Sequence, residues 1–216
     1  VSVGPTTVAP ADQGKGVGRA LLQSVIDREP KARSMRLMQD SLNLASFELL
    51  VRLGYALGEE VAMLTLPAGF REDRESDPEV RPATADDLEG VLEMDRRLAG
   101  SDRRKDFELL RRFGKVLVLH SGRELRGYLA QMPTPGRTML GPGGAEEPES
   151  LLRLSLHAVA ETLGELSLLL PAWSRAGVCP LLDAGFRLVG LTNLMFRGEW
   201  QEPRGAYTYS LFPESH

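Results

Sequence analysis

Cysteine and histidine are nearly missing from this chain: Cys179 stands alone, and His120, His157 and His216 are the three histidines among 216 residues. One thiol excludes an internal disulfide, and three histidines without ligand spacing give no metal pattern, so no metal is expected. Cys179 falls in the run Gly177-Val178-Cys179-Pro180-Leu181-Leu182 and is expected to be a buried small hydrophobe. Long hydrophobic runs are missing too. The longest, residues 166–173, is broken by Ser167 and Pro171 and falls far short of a bilayer span. With no signal-like start, a soluble cytoplasmic protein with no membrane partner is expected. Nor is there an excess of one charge. The net charge is −4, so no global field favours nucleic acid. The basic clusters Arg96-Arg97, Arg103-Arg104-Lys105 and Arg111-Arg112 alternate with Asp102, Asp106 and Glu108, as on solvated helix faces.

What remains is an ordinary globular composition, 42% apolar and 26% charged, long enough for one large or two small domains. Within it one stretch stands out. An apolar run ends at Pro10, the alternate glycines Gly14, Gly16 and Gly18 follow, and an amphipathic helix begins. That order puts bare backbone N–H groups at a helix N-terminus, a setting suited to a diphosphate. Glycine lets the backbone come close to the anion and take up a left-handed turn. Spacing separates the phosphate loops. A Walker loop would need Gly-Lys-Ser/Thr, but Gly14-Lys15 is followed by Gly16. A dinucleotide fingerprint starting at Gly14 would need glycine where Arg19 stands.

The pattern present is Gln13-Gly14-Lys15-Gly16-Val17-Gly18, preceded by Val8 and Pro10 and followed by Arg19-Ala20-Leu21-Leu22. It resembles the acyl-CoA diphosphate loop, Gln/Arg-x-x-Gly-x-Gly, of the GNAT superfamily of N-acetyltransferases. A second landmark agrees. Asn43-Leu44-Ala45-Ser46 through Leu53-Gly54-Tyr55 is similar to that family's Asn-x-x-Ala/Ser-x-x-Leu-Tyr-x-x-x-Gly-Phe segment. By itself it reads as a helix with Leu49, Leu50 and Leu53 on one face and Gly54 as a left-handed cap. Asn43 doubles as a plain helix N-cap.

The resemblance implies a mixed α/β sheet and direct acyl transfer from acetyl-CoA, or another acyl-CoA, to an amine. Thr6, Thr7 and Val8 would pair with the pantetheine arm, and the Val8 N–H would polarise the thioester carbonyl. Gly14, Lys15, Gly16, Val17, Gly18 and Arg19 would hold the diphosphate behind Gln13, with Asn43 and Ser46 beside the cofactor. The family's usual acid, a tyrosine, is replaced by Leu50; Tyr55 fills the aromatic slot after the glycine and is expected in the core. No general base can be named, and Ser155 and His157 are expected in packing or surface roles.

A charged, proline-bounded linker marks residues 67–82. Before it the pattern is strand (1–8), helix (17–29), strand (34–39), helix (43–53) and two strands to about 66. After it come a strand end at 80, a helix to 98 capped by Thr84 with Asp87, a helix over 103–113, and strands over 115–120 and 125–132 about a turn at Gly122. A strand at 137–140, a loop, a helix over 148–163, a strand at 166–170, a helix near 178–183 and strands near 187–191 and 193–197 complete it.

The halves echo each other. Val3-Gly4-Pro5 matches Leu140-Gly141-Pro142, Leu53-Gly54-Tyr55 matches Ala184-Gly185-Phe186, and Ala62-Met63 matches Leu194-Met195. Residues 80–216 therefore look like a second, degenerate GNAT-like domain, similar to the YitH/HolE-type acetyltransferase domain. Residues 1–70 look like the C-terminal half of a first one, and 71–79 form the linker. The second copy lacks the loop: Gly4 and Leu21 are 17 positions apart, but Gly141 and Leu151 only 10. Gly143-Gly144-Ala145-Glu146-Glu147 stands there instead, its carboxylates unsuited to a diphosphate. The first copy's missing strands are expected upstream of Val1 or from another chain. The expected function is N-acetyltransfer to a primary amine of a small molecule or protein, with a homodimer left open. The alternative is a non-catalytic acyl-CoA-binding or ligand-sensing protein.

Overall fold

Residues 1–4, 6–70, 75–100 and 103–209 are described by a computed structural model, so part of the expected linker, 71–74, lies outside them. They carry six α-helices and nine strands and divide into two compact units. The division does not fall at the linker. Unit 1 is Val1–Glu60 with Leu191–Trp200, and unit 2 is Val61–Gly190 with residues 201–209.

Unit 1 holds α1 (Val17–Arg28), β1 (Ser34–Asp40), α2 (Leu44–Arg52), the start of β2 (Ala56–Leu66) and the end of β8 (Arg187–Gly198). β1 alternates as a half-buried strand should, with Met35, Leu37 and Gln39 turned inward. It pairs antiparallel with β8, from Ser34↔Gly198 to Asp40↔Thr192. Leu22 and Ile26 of α1, Leu50 of α2, and Leu53, Tyr55 and Met195 close the core over it. Among the described residues, the strand expected at 1–8 is mostly absent. Only its start pairs, parallel to β1, through Ser2↔Arg36, Val3 N–H to the Arg36 carbonyl (2.8 Å) and Arg36 N–H to the Val1 carbonyl (2.9 Å). Beyond Val3 the segment leaves β1.

Unit 2 is a sheet with helices on both faces. It comprises β3 (Val80–Pro82), α3 (Leu88–Ala99), α4 (Arg104–Phe113), β4 (Lys115–Ser121), β5 (Glu124–Thr134), β6 (Arg137–Ala145), α5 (Pro148–Glu161), β7 (Glu165–Pro171), α6 (Arg175–Asp183) and β9 (Ala206–Thr208). Its strand order is β2-β7-β6-β5-β4-β3, with β9 on β6. β6 and β7 run parallel, whereas β2–β7, β3–β4, β4–β5, β5–β6 and β6–β9 are antiparallel. One face packs Leu151, Leu154 and Ala158 of α5 and Leu181 of α6 against β6 and β7. The other packs Val91, Leu98, Phe107 and Leu110 of α3 and α4 against β4 and β5.

The strands that follow α2 and α6 each begin in one unit and end in the other. β2 follows α2 but pairs with β7 from Val61↔Pro171 to Leu66↔Leu166, while β8 follows α6 and pairs with β1. β2 and β8 are each one continuous strand where two were expected. β6 runs on through Ala145 where a loop was expected, since β5 and β9 pair with residues 143–145 on either side. Cys179 is exposed, not buried. Val178 and Leu181 share the packed face of α6, and Cys179 sits about 100° round the helix from Val178.

A charged group is buried beneath α3. Asp95, fully enclosed, accepts from Arg103 Nε (2.9 Å) and from the Tyr128 hydroxyl, and Tyr128 meets Phe107 edge-on at 5.5 Å. Burial, with the Asp95 carboxylate, holds the Tyr128 phenol well above its ordinary pKa. Asp95→Ala leaves Arg103 without that counter-charge and should cost about 3–5 kcal/mol in urea unfolding, with a loss under about 1 contradicting the pairing. At the entry to α3, Asp87 accepts from Thr84 N–H (2.7 Å) and binds Arg81 through both oxygens (2.7 and 2.9 Å). The Arg81 hydrogen bonds hold its carboxyl well below the usual range. The resulting stability is complete above the unfolded pKa of about 4 and is lost as pH falls through the lower folded value. Asp87→Asn should therefore cost about 1–3 kcal/mol at neutral pH, a deficit that shrinks on acidification; a pH-independent deficit would contradict this.

Candidate functional site

The departure of residues 6–9 from β1 opens unit 1. A cavity of about 460 Å³ lies there, with Gly4, Thr6 and Val8 on one side and Leu37, Met38 and Gln39 of β1 on the other. The loop and the start of α1 close one end, through Gln13, Gly14, Gly16, Val17, Gly18 and Arg19; α2 closes the other, through Asn43, Ser46, Leu49 and Leu50. Two strands that start parallel and then part leave the facing backbone groups without ladder partners. Among the described residues, no hydrogen bond engages the N–H of Thr6, Thr7 or Val8. Extended backbone of that kind can pair with an extended amide-bearing ligand.

The loop is shaped by left-handed glycines. Gly14 has φ +75° and Gly16, the N-cap of α1, has φ +84°; a Cβ on either would meet nothing within 4 Å, so conformation rather than crowding demands glycine. Gly18 has ordinary φ, and a Cβ there would sit 3.6 Å from Val8 and Leu49. α1 has no side-chain cap and no acidic residue in its first turn, so its positive end and free N–H groups face the cavity. This fits an anion. Asp12, also in the lining, is paired with Lys15 (Nζ to Oδ1, 3.0 Å).

Eleven of the thirteen residues singled out from the sequence line this one cavity: Thr6, Val8, Gln13, Gly14, Gly16, Val17, Gly18, Arg19, Asn43, Ser46 and Leu50. Thr7 and Lys15 do not. Thr7 is exposed and falls between the lining residues Thr6 and Val8, and Lys15 is held outside by Asp12. Gln13 turns back on its own loop, Nε2 donating to the Val8 carbonyl (3.3 Å). Asn43 caps α2, its Oδ1 accepting from Ser46 N–H (3.0 Å). Leu50 is buried against the cavity, and Tyr55 lies in the core with its hydroxyl 3.8 Å from Met35 Sδ. Burial raises the Tyr55 phenol's pKa. In unit 2, the Ser155 hydroxyl bonds the Leu151 carbonyl (2.9 Å) and His157 Nε2 lies 3.2 Å from Glu161.

Sequence reasoning missed Gln39. It is buried, lines the cavity, donates to the Asn43 carbonyl (2.8 Å) and accepts from Asn193 Nδ2 (2.8 Å). The available signal was a polar residue at the third inward position of an otherwise apolar strand, after Met35 and Leu37. Gln39→Leu leaves the Asn193 amide and Asn43 carbonyl without those partners. It should cost about 1–3 kcal/mol in denaturant unfolding; a change within about 0.5 kcal/mol would show the amide pair to be dispensable.

No protein-family model matches the chain, and no curated protein matches it. Solved structures do. A provisionally assigned acetyltransferase from Pyrococcus horikoshii superposes with TM-score 0.77 at 18% identity, over 97% of this chain and 69% of the other. A GCN5-related N-acetyltransferase from Sphaerobacter thermophilus gives 0.62 at 17%, over 91% and 72%. One from Kribbella flavida gives 0.60 at 13%, over 93% and 79%. At these identities the likeness concerns the fold. The mixed α/β fold of this chain is that of the GCN5-related N-acetyltransferases, the GNAT superfamily.

Proposed function

We propose that unit 1 is an acyl-CoA site and that the protein transfers an acyl group from CoA to a primary amine. The observation that carries this reading is the joining of two features in one cavity: a split between parallel strands and an uncapped helix N-terminus behind left-handed glycines. The first suits the amides of a pantetheine arm, the second a diphosphate. Bound acyl-CoA supplies an activated thioester, and the rest is left to positioning. The N–H groups of Val17, Gly18 and Arg19 and the Arg19 guanidinium hold negative charge. Thr6 and Val8 hold the arm as an added strand, and the Val8 N–H is the donor to the thioester carbonyl, where negative charge develops during attack. Asn43 and Ser46 border the arm from α2. Lys15 contributes by neutralising Asp12 rather than by touching the ligand.

The amine must lose a proton, and among the described residues Asp12 and Arg19 are the titratable side chains lining the cavity. That favours a second reading for comparison. With Leu50 in the tyrosine position and the lining carboxylate Asp12 paired with Lys15, unit 1 would hold acyl-CoA without turnover. The acceptor class, small molecule or protein, stays with the first reading as an amine. The two units are read as diverged copies of one acyltransferase plan, supported by their reciprocal exchange of β2 and β8.

Thiol release from acetyl-CoA over a panel of small and peptide amines separates the readings. Amine-dependent release supports transfer, CoA binding with no release supports the second reading, and absence of CoA binding contradicts both. Gly16→Val forces a branched residue into φ +84°, at a strain cost of about 1–2 kcal/mol. It should weaken CoA binding about tenfold or more while the far-UV spectrum is kept; unchanged affinity would show that the loop is not the site.

A further inference from the structure

The same strand divergence occurs in unit 2, and there it is filled. β6 and β7 run parallel from Arg137↔Glu165 to Leu140↔Leu168, and the pairing stops at Leu140. β6 continues along β5 through Gly143, Gly144 and Ala145. Into the gap comes β9, antiparallel to β6 at Gly143↔Thr208, Gly144↔Tyr207 and Ala145↔Ala206. On its other edge it meets β7, Tyr209 N–H donating to the Leu169 carbonyl (3.0 Å). One short segment therefore satisfies the backbone of both parted strands. Ala206, Tyr207 and Thr208 are all buried.

The glycines here serve the strand. A Cβ on Gly141 would run into the Tyr209 carbonyl oxygen, and one on Gly143 would lie 2.9 Å from Thr208 Oγ1 and 2.7 Å from Leu129. Gly141 and Gly143 thus make room for β9. The space left beside it, between the start of α5, β7 and α6, is about 10 Å³, about the least that admits one water. The start of α5 carries Glu146 and Glu147, with Glu146 paired to Arg97 (2.5 Å). No such carboxylate lies in the first turn of α1.

We propose that the cleft of unit 2 is a strand-binding slot whose ligand is the chain's own segment 206–209. This segment stands where an extended pantetheine arm would pair, so each chain takes one acyl-CoA, in unit 1. The consequence for CoA rests on the function proposed above; the occupancy by β9 does not. A pantetheine arm could enter unit 2 only by displacing both edges of β9, and its diphosphate would meet the carboxylates Glu146, Glu147 and Glu149 at the start of α5.

Hydrogen exchange on the full chain, with and without CoA, reads the occupancy. The amides of residues 206–209 should exchange at least about a hundredfold more slowly than unstructured chain in both conditions. Tyr209→Pro, which removes the donor to Leu169, should speed exchange across 206–208 without altering CoA affinity. Calorimetric titration with CoA should give one equivalent for the native chain, and Gly16→Val should weaken it about tenfold or more. Unprotected amides at 206–209, two equivalents, or one equivalent at unchanged affinity in Gly16→Val would each overturn the proposal. If the native chain binds no CoA at all, the acyl-CoA reading of unit 1 fails, and exchange at 206–209 still decides whether the slot is filled.

Discussion

Two parallel strands that part company leave backbone donors and acceptors facing one another across a gap, and this protein does so twice. A buried N–H or C=O without a partner costs about as much as a lost hydrogen bond, so each gap demands an occupant or an opening to solvent. In unit 2 the occupant is β9. In unit 1 the gap opens into a cavity of about 460 Å³ bounded by the loop and α2. The same backbone geometry thus gives a sealed core in one unit and a receptive cleft in the other. What separates them is what stands at the helix beyond: left-handed glycines and no acidic residue in the first turn at α1, carboxylates at and before the first turn of α5.

Chemistry in the open cleft is weighted towards holding rather than proton transfer. Backbone N–H groups, Arg19, Asn43 and Ser46 line it, with Leu22, Leu37, Leu49 and Leu50 supplying an apolar wall. Gln39 stiffens that wall by tying β1 to the start of α2 and to Asn193. On the function proposed above, such a site would position a thioester and stabilise charge at its carbonyl. On the same reading, deprotonation of the amine would fall to Asp12, to a group outside the described lining or to solvent.

Features with local causes were legible in the sequence. Gly14 and Gly16 show as glycines because φ near +80° excludes side chains, and Asn43 shows as a cap because its side chain bonds three residues on. The mixed α/β fold was implied by the resemblance of the glycine loop and the 43–55 segment to the GNAT superfamily. Pairing partners were not legible. β2 and β8 carry similar patterns, and nothing local says that β8 joins β1 or that Gln39 meets Asn193, 154 positions away. Gly141 and Gly143 illustrate a related limit: a glycine reports that room is needed and is silent on what fills it. Cys179 was misplaced because an apolar neighbourhood in sequence is not a shared face on a helix.

Amide chemical-shift mapping of the isotopically labelled chain during a CoA titration tests the contrast between the open and the filled cleft most directly. Saturable shifts confined to residues 6–8, 14–19 and 43–46, with 143–147 and 206–209 unmoved, are the predicted result. Shifts centred on 143–147 and 206–209, or none in residues 6–19, would contradict it.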